Sequence, residues 1–172
     1  MADSKISINK TLKFEGGYVN DPSDDGGETF AGISRKFHPD WIGWSILDKT
    51  EDKNSLLKDI EFMSHVQDWY KENYWDKVQG DNILSQDVAN NIFDLGVNSG
   101  TKRAIKYAQI VSKAKVDGIF GKNTLNAINS MNPDDFVKAY KGLRTDFYNK
   151  LVQRVPSNSK FLRGWLNRVN SI

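Results

Sequence analysis

The sequence predicts a mainly α fold with one small β-hairpin near its N-terminus. Three observations lead there. Long stretches place apolar residues three and four positions apart. One segment around residue 90 is apolar over most of its circumference, the mark of a central buried helix. Glycine, asparagine and aspartate instead crowd residues 18–34, where a turn-linked pair of strands fits.

Taken in order, residues 5–15 fit a short helix on which Ile8, Leu12 and Glu15 share one face, with Gly16-Gly17 as its stop. Residues 18–34 hold Pro22 and Gly26-Gly27 and predict a loop or hairpin whose second strand is Thr29–Ile33. Residues 35–53 are aromatic and irregular. SLLKDIEFMSHVQDWYKENYWDK (55–77) has helical spacing through Leu56, Ile60, Met63, Val66 and Tyr70. The segment 83–99 is the buried one, through Leu84, Val88, Ala89, Ile92, Phe93, Leu95 and Val97. Asp94 and Asn98 stand out on it, four residues apart and so on one face. Residues 101–111 read as a helix, and VDGIFGKNT (116–124) as a turn opening another near Asn123 or Thr124. A long amphipathic helix follows Pro133 over 134–155, and a short one closes the chain at 161–169. There is no internal repeat and no low-complexity linker.

Composition narrows the function. With 172 residues, 38% hydrophobic and 12% aromatic, the chain can bury a core and is not a disordered segment. It has no cysteine, which excludes disulfides and thiolate metal sites. His38 and His65 alone do not make a metal site, and no metal or cofactor is expected. Neither a phosphate-cradling glycine loop nor a serine-elbow pentapeptide occurs. MADSKISINK lacks the apolar core of a Sec-type signal, and no apolar run approaches the roughly 20 residues of a membrane span. Delivery outside the cytoplasm would then need another route, and no stable membrane insertion is expected. Charge is uneven: residues 1–100 hold ten Lys/Arg against eighteen Asp/Glu, and residues 101–172 fourteen against four. A basic half fits an anionic partner, or the attraction of two halves within one fold. Its cations are spread along helices without a dense cluster, which leaves nucleic acid the weakest of the candidate partners.

Among candidate chemical residues Glu15 comes first. An inward position in the last helical turn would disfavour its anion through desolvation and the negative helix end, as a general acid near neutral pH requires. A second carboxylate in a wetter setting is then needed, and Asp24 lies nine residues on in a polar loop. An acid and a base about 6.5–9.5 Å apart, with a water between them, is the inverting glycosidase arrangement. Thr29 is placed to hold that water, and Asp21 and Asp25 are rivals for the base. Turn formation explains the same aspartates equally simply. Tyr18 is a candidate sugar platform, or an aromatic staple under the hairpin. Asp94 and Asn98 are candidate cleft-lining residues, or partners for buried backbone groups. Trp41, Trp44, Trp69, Tyr70, Tyr74 and Trp75 read as core. Asp117-Gly118 with Gly121 and Thr124 forms either a ligand-binding turn or a tight turn with a helix cap.

EGGYVNDPSDDGGETFAGIS, Glu15 to Ser34, resembles the signature of glycoside hydrolase family 108, a group of phage endolysin-like muramidases and bacterial secretion activator proteins. The elements EGGY, N-D-P, D-x-GG-x-T and G-I occur in that order. Downstream, residues 88–109, 116–128 and 161–168 resemble the predicted peptidoglycan-binding region that follows in this family. The resemblance implies a lysozyme-like catalytic region over 1–80 and a helical wall-binding region over 81–172, packed in one compact unit. It implies an N-acetylmuramidase that cleaves the β-1,4 bond between N-acetylmuramic acid and N-acetylglucosamine. Glu15 would be the acid, Asp24 the base and Thr29 its assistant; Tyr18, Asp94 and Asn98 remain the substrate-side candidates from the residue reading alone. Two departures stand out: Asp25 where proline is usual, and Phe30-Ala31 where asparagine and an aromatic are common, the latter expected to change the cleft floor. The implied partner is bacterial peptidoglycan, met as a monomer and reached by holin-type lysis or a non-Sec route. The alternative is a non-catalytic wall-binding accessory of a secretion system.

Overall fold

The computed structural model describes residues 1–21 and 26–172. Helices α1 (Ser4–Leu12), α2 (Gly43–Leu47), α3 (Ile60–Tyr70), α4 (Gln86–Ser99), α5 (Thr101–Val111), α6 (Lys122–Asn129), α7 (Pro133–Arg154) and α8 (Ser159–Ser171) dominate. Between α1 and α2 lie three short strands, β1 (Tyr18–Asn20), β2 (Glu28–Phe30) and β3 (Ile33–Ser34). The fold is mainly α, as the sequence predicts. The chain divides into two compact units, one of Ile8–Asn73 and one of Met1–Ser7 with Tyr74–Ile172.

In the unit of Ile8–Asn73 the strands form an antiparallel meander in the order β1-β2-β3, with Val19 opposite Thr29 and Phe30 opposite Ile33. The continuous strand expected over 29–33 is broken by a two-residue turn at Ala31-Gly32. Both residues have positive φ, 46° and 78°, as a hairpin turn matched to strand twist requires. Phe30 is fully buried and meets Phe62 of α3 edge to face at 5.0 Å. The departure at Phe30 is therefore a change in the core and not in a cleft floor. Phe62 also meets Trp41, which packs on Trp44, so the irregular aromatic segment covers α3. Each such ring removes roughly 1.5–3 kcal/mol of apolar exposure. Asp59 caps α3 by accepting from the Phe62 N–H at 2.9 Å. The single helix expected over 55–77 is thus split: a 3₁₀ segment at Lys53–Lys58, then α3, then a π-helical turn at Lys71–Trp75.

In the other unit α4 is the buried central helix that the sequence predicts, with residues 88–96 all buried, and it packs against α5 and α7. It starts at Gln86, not at 83, because Ser85 caps it and Leu84 is left exposed. Asn132 caps α7 through two backbone N–H groups, with Pro133 in its first turn. Ser7 donates to Asn90 of α4 at 2.6 Å, which ties the N-terminal residues into this unit.

Candidate functional site

Glu15 does not lie on α1. The helix ends at Leu12, and bonds from Phe14 N–H to Thr11 and from Glu15 N–H to Leu12 wind the chain into a tight turn beyond it. Glu15 is half-buried. The helix-end argument for its acidity therefore fails, because the residue sits three positions past the last helical one. Gly16 and Gly17 do not stop the helix either. Gly17 is instead a close-approach site, since a Cβ there would fall 2.3 Å from Oδ1 of Asn54. That same oxygen accepts the Tyr18 N–H at 2.9 Å, which fixes the entry into β1.

The carboxylate of Glu15 lies over the Ala31-Gly32 turn. The position a Gly32 Cβ would take is 2.9 Å from Glu15 Oε2 and 2.9 Å from the Tyr70 hydroxyl. The two oxygens are thus no more than twice that distance apart, with an exposed glycine between them. Tyr70, 2% exposed, donates its hydroxyl to the Ala31 carbonyl at 2.7 Å, while the Ala31 N–H donates to Gly17 at 3.1 Å. The turn, the EGG segment and α3 are locked together at the acid. Trp69 meets Tyr70 edge to face at 5.1 Å. It also lines an open hollow of about 400 Å³ with Phe37, His38, Asp40, Trp41 and Glu72.

Thr29 lies in the middle strand, paired with Val19 on one side and Ser34 on the other. Tyr18 pairs with Phe30, so Tyr18 and Thr29 project from opposite faces of the sheet and do not line one surface. The Tyr18 hydroxyl donates to Glu28 at 2.9 Å, and burial, then that hydrogen bond, push the phenol up from its usual value. Glu28 pairs with Arg35 at 2.7 Å, which reaches Asp48 at 2.5 Å and lies over the Trp44 ring. Asp24 and Asp25 lie outside the described residues, and Asp21, exposed, follows β1.

The glycosyl hydrolase 108 family model matches residues 8–100, more than half of the chain. The chain belongs to this family. The glycosyl hydrolase 108 match holds Glu15, Thr29, Gly32 and Tyr70, and a "Predicted Peptidoglycan domain" matches residues 102–170. Among solved structures the chain is similar to SagA of Brucella abortus, with 29% identity and a TM-score of 0.69 over 97% of this chain and 89% of that one. No curated protein gives a significant match.

Asp94 and Asn98, also within the family match, face the interior of their own unit. Asp94 is fully buried, and its carboxylate accepts from Arg144 at 2.5 Å and from Nε of Arg168 at 3.0 Å. Asn98, half-buried, accepts from the Tyr148 hydroxyl and from Ser99. Their burial supports a packing role. Asp117 orders its own turn: the backbone N–H of Ile119, then Gln109, hold its carboxyl below the usual range. Sequence reading missed Gly32 and Tyr70 at the acid. Gly32 was visible only as the G of the G-I element, and Tyr70 as one more apolar position of a helix.

Proposed function

We propose that this glycosyl hydrolase 108 protein is an N-acetylmuramidase of bacterial peptidoglycan, with Glu15 as general acid. The observation that carries the reading is the placement of the Glu15 carboxylate over an exposed glycine, held beside a buried tyrosine hydroxyl. A bulky glycan can approach there because Gly32 offers no side chain. A carboxyl in that position can protonate a glycosidic oxygen as the C–O bond to the muramic acid ring breaks. Asp24, with Asp21 and Asp25 as its rivals, activates a water on the opposite face of the sugar, and Thr29 assists in holding that water. Catalysis belongs to the N-terminal region of 1–80 and wall attachment to the basic helices of 81–172. The two family matches support the order of the two regions, although they meet at residues 100–102 and so assign α4 to the hydrolase match. Tyr18 serves the first region by fixing the sheet through Glu28.

The test is digestion of purified peptidoglycan with mass spectrometry of the new ends. New reducing muramic acid ends are expected, and new free amines would refute the reading. Glu15→Gln keeps the shape and removes the proton. Its clearing of cell wall should fall at least about 100-fold, in line with the share that general acid catalysis supplies. If that variant clears wall at the parent rate, Glu15 is not the acid. If the parent pellets with peptidoglycan and releases no fragments, the protein is a wall-binding accessory.

A further inference from the structure

The face shared by α5 and α7 carries a feature that glycan cleavage does not use. Residues 143, 146, 147, 150, 151 and 154 form one stripe along α7, and Arg103 and Tyr107 face it one turn apart on α5. Together they line a groove of about 320 Å³. Its floor is apolar and half-buried, from Tyr107, Leu143, Phe147 and Leu151, and its rim is charged. A second hollow of about 420 Å³ continues from Arg103 and Tyr107 and adds Lys102 and Lys106. The rim thus holds five cations, including Lys150 and Arg154, against the single carboxylate of Asp146.

The guanidinium of Arg103 is not a loose surface charge. It lies over the Phe147 ring at 4.2 Å and donates one N–H to the Ser99 carbonyl at 3.0 Å. Arginine has five N–H groups in a fixed fork, so a held guanidinium retains donors for a planar anion. Burial pushes the Tyr107 phenol up, which keeps it a neutral donor beside the cations.

We infer that this groove binds the peptide stem of peptidoglycan, with the stem's C-terminal carboxylate on Arg103, Lys150 and Arg154 and the apolar methyl groups on Phe147 and Leu143. This assignment rests on the wall-polymer reading above. The chemistry favours a stem over the glycan strand and over nucleic acid. A glycan is largely neutral and needs no five-cation rim. A phosphate backbone would meet repulsion at Asp146 and has no use for an aliphatic floor. A stem carries carboxylates, small apolar side chains and, at its diamino acid, an ammonium that Asp146 complements.

The experiment uses the full chain and a soluble stem peptide, L-Ala-γ-D-Glu-L-Lys-D-Ala-D-Ala, followed by calorimetry and by amide shifts of residues 99–107 and 143–154. The expected result is saturable binding that moves those amides. Binding should weaken about tenfold or more for the C-terminal amide, since one charge-assisted pair is lost. The double variant Lys150→Gln/Arg154→Gln, altered only at the exposed rim, should lose binding with its melting temperature unchanged. It should still cleave a short soluble glycan at the parent rate. Cleavage or pelleting of intact peptidoglycan without any stem binding overturns the groove assignment and leaves the wall-polymer reading standing. Failure of both overturns both. Equal binding of acid and amide, or tighter binding of duplex DNA at the same amides, overturns the assignment as well.

Discussion

Substituting Gly32 by alanine separates the proposed catalytic geometry from the fold. The new Cβ would sit 2.9 Å from both Glu15 Oε2 and the Tyr70 hydroxyl, where ordinary contact begins at 3.4 Å, so something must retreat by about 0.5 Å. Tyr70 is buried and bonded to the Ala31 carbonyl, whereas Glu15 ends in a half-buried, flexible carboxylate. The acid therefore moves. A catalytic group misplaced by up to about 1 Å costs on the order of 100-fold, so kcat should fall about 10–100-fold with KM changing less. The backbone adds strain of about 1–2 kcal/mol, because φ at Gly32 is +78°. For a chain of this size that lowers Tm by roughly 2–8 °C. Gly100→Ala gauges backbone strain in the melts and not in the rates: its φ is +90° with nothing within 4 Å of the new Cβ, and it lies in the other unit. Initial rates on purified peptidoglycan, with thermal melts by circular dichroism, give both readouts. If Gly32→Ala melts lower but hydrolyses wall as fast as the parent, the Glu15–Gly32–Tyr70 arrangement is not the catalytic one.

Other expectations follow from the same packing. Tyr70→Phe removes the donor to the Ala31 carbonyl and should cost about 1–2 kcal/mol in urea unfolding, together with a larger fractional loss of kcat than of stability. Asp94→Asn leaves the buried guanidinium groups of Arg144 and Arg168 without the carboxylate between them, and should destabilise by about 3–5 kcal/mol by urea titration. A loss within the error of the titration would mean that the two guanidinium groups are tolerated without their carboxylate. Burial pushes the Tyr140 phenol far above its ordinary 10.0. Its contribution is therefore fully present below pH about 10 and lost as pH rises from there, because the unfolded chain ionises first. Tyr140→Phe should flatten that alkaline loss in melts taken between pH 9 and 11. Asp117 behaves in the opposite sense. Its carboxyl is held below 3.8, so its contribution is present above that pH and lost as pH falls, and Asp117→Asn should remove this acid dependence from hydrogen exchange over 116–124.

The helical half of the fold was legible because burial there follows periodicity. The apolar circumference of 83–99 became a central helix, and Thr101–Val111 matches its expected bounds. The N-terminal site was less legible, for a physical reason. Periodicity carried helix one as far as Glu15, but the chain tightens after Leu12, and spacing cannot register such a turn. Likewise Thr29–Ile33 alternates well enough for one strand. The break at Ala31-Gly32 depends on contacts with Gly17 and Tyr70, which lie 14 and 39 positions from Ala31. Motif resemblance points to Glu15 whichever way the chain turns there, and it reaches no further than single residues. Asp94 shows the other failure: a polar residue on an apolar helix marks a site or a buried ion cluster, and only the distant arginines of α7 and α8 separate the two.

The strained turn also explains why the acid stays where it is. Ala31 holds φ of +46°, a conformation that costs a side-chain-bearing residue about 1–2 kcal/mol. Such a residue persists only where its surroundings over-determine it, and here both of its peptide groups are bonded, one to Gly17 and one from Tyr70. Gly17 is in turn pressed against Asn54, whose side chain holds the Tyr18 N–H. Two chain segments thus hold the turn directly and a third, through Asn54, holds one of them, while the Glu15 carboxylate rests on the turn's second residue. A turn without those bonds could relax in several directions. This one can relax only by breaking bonds to two other segments, so the fold itself sets the position of the Glu15 carboxylate.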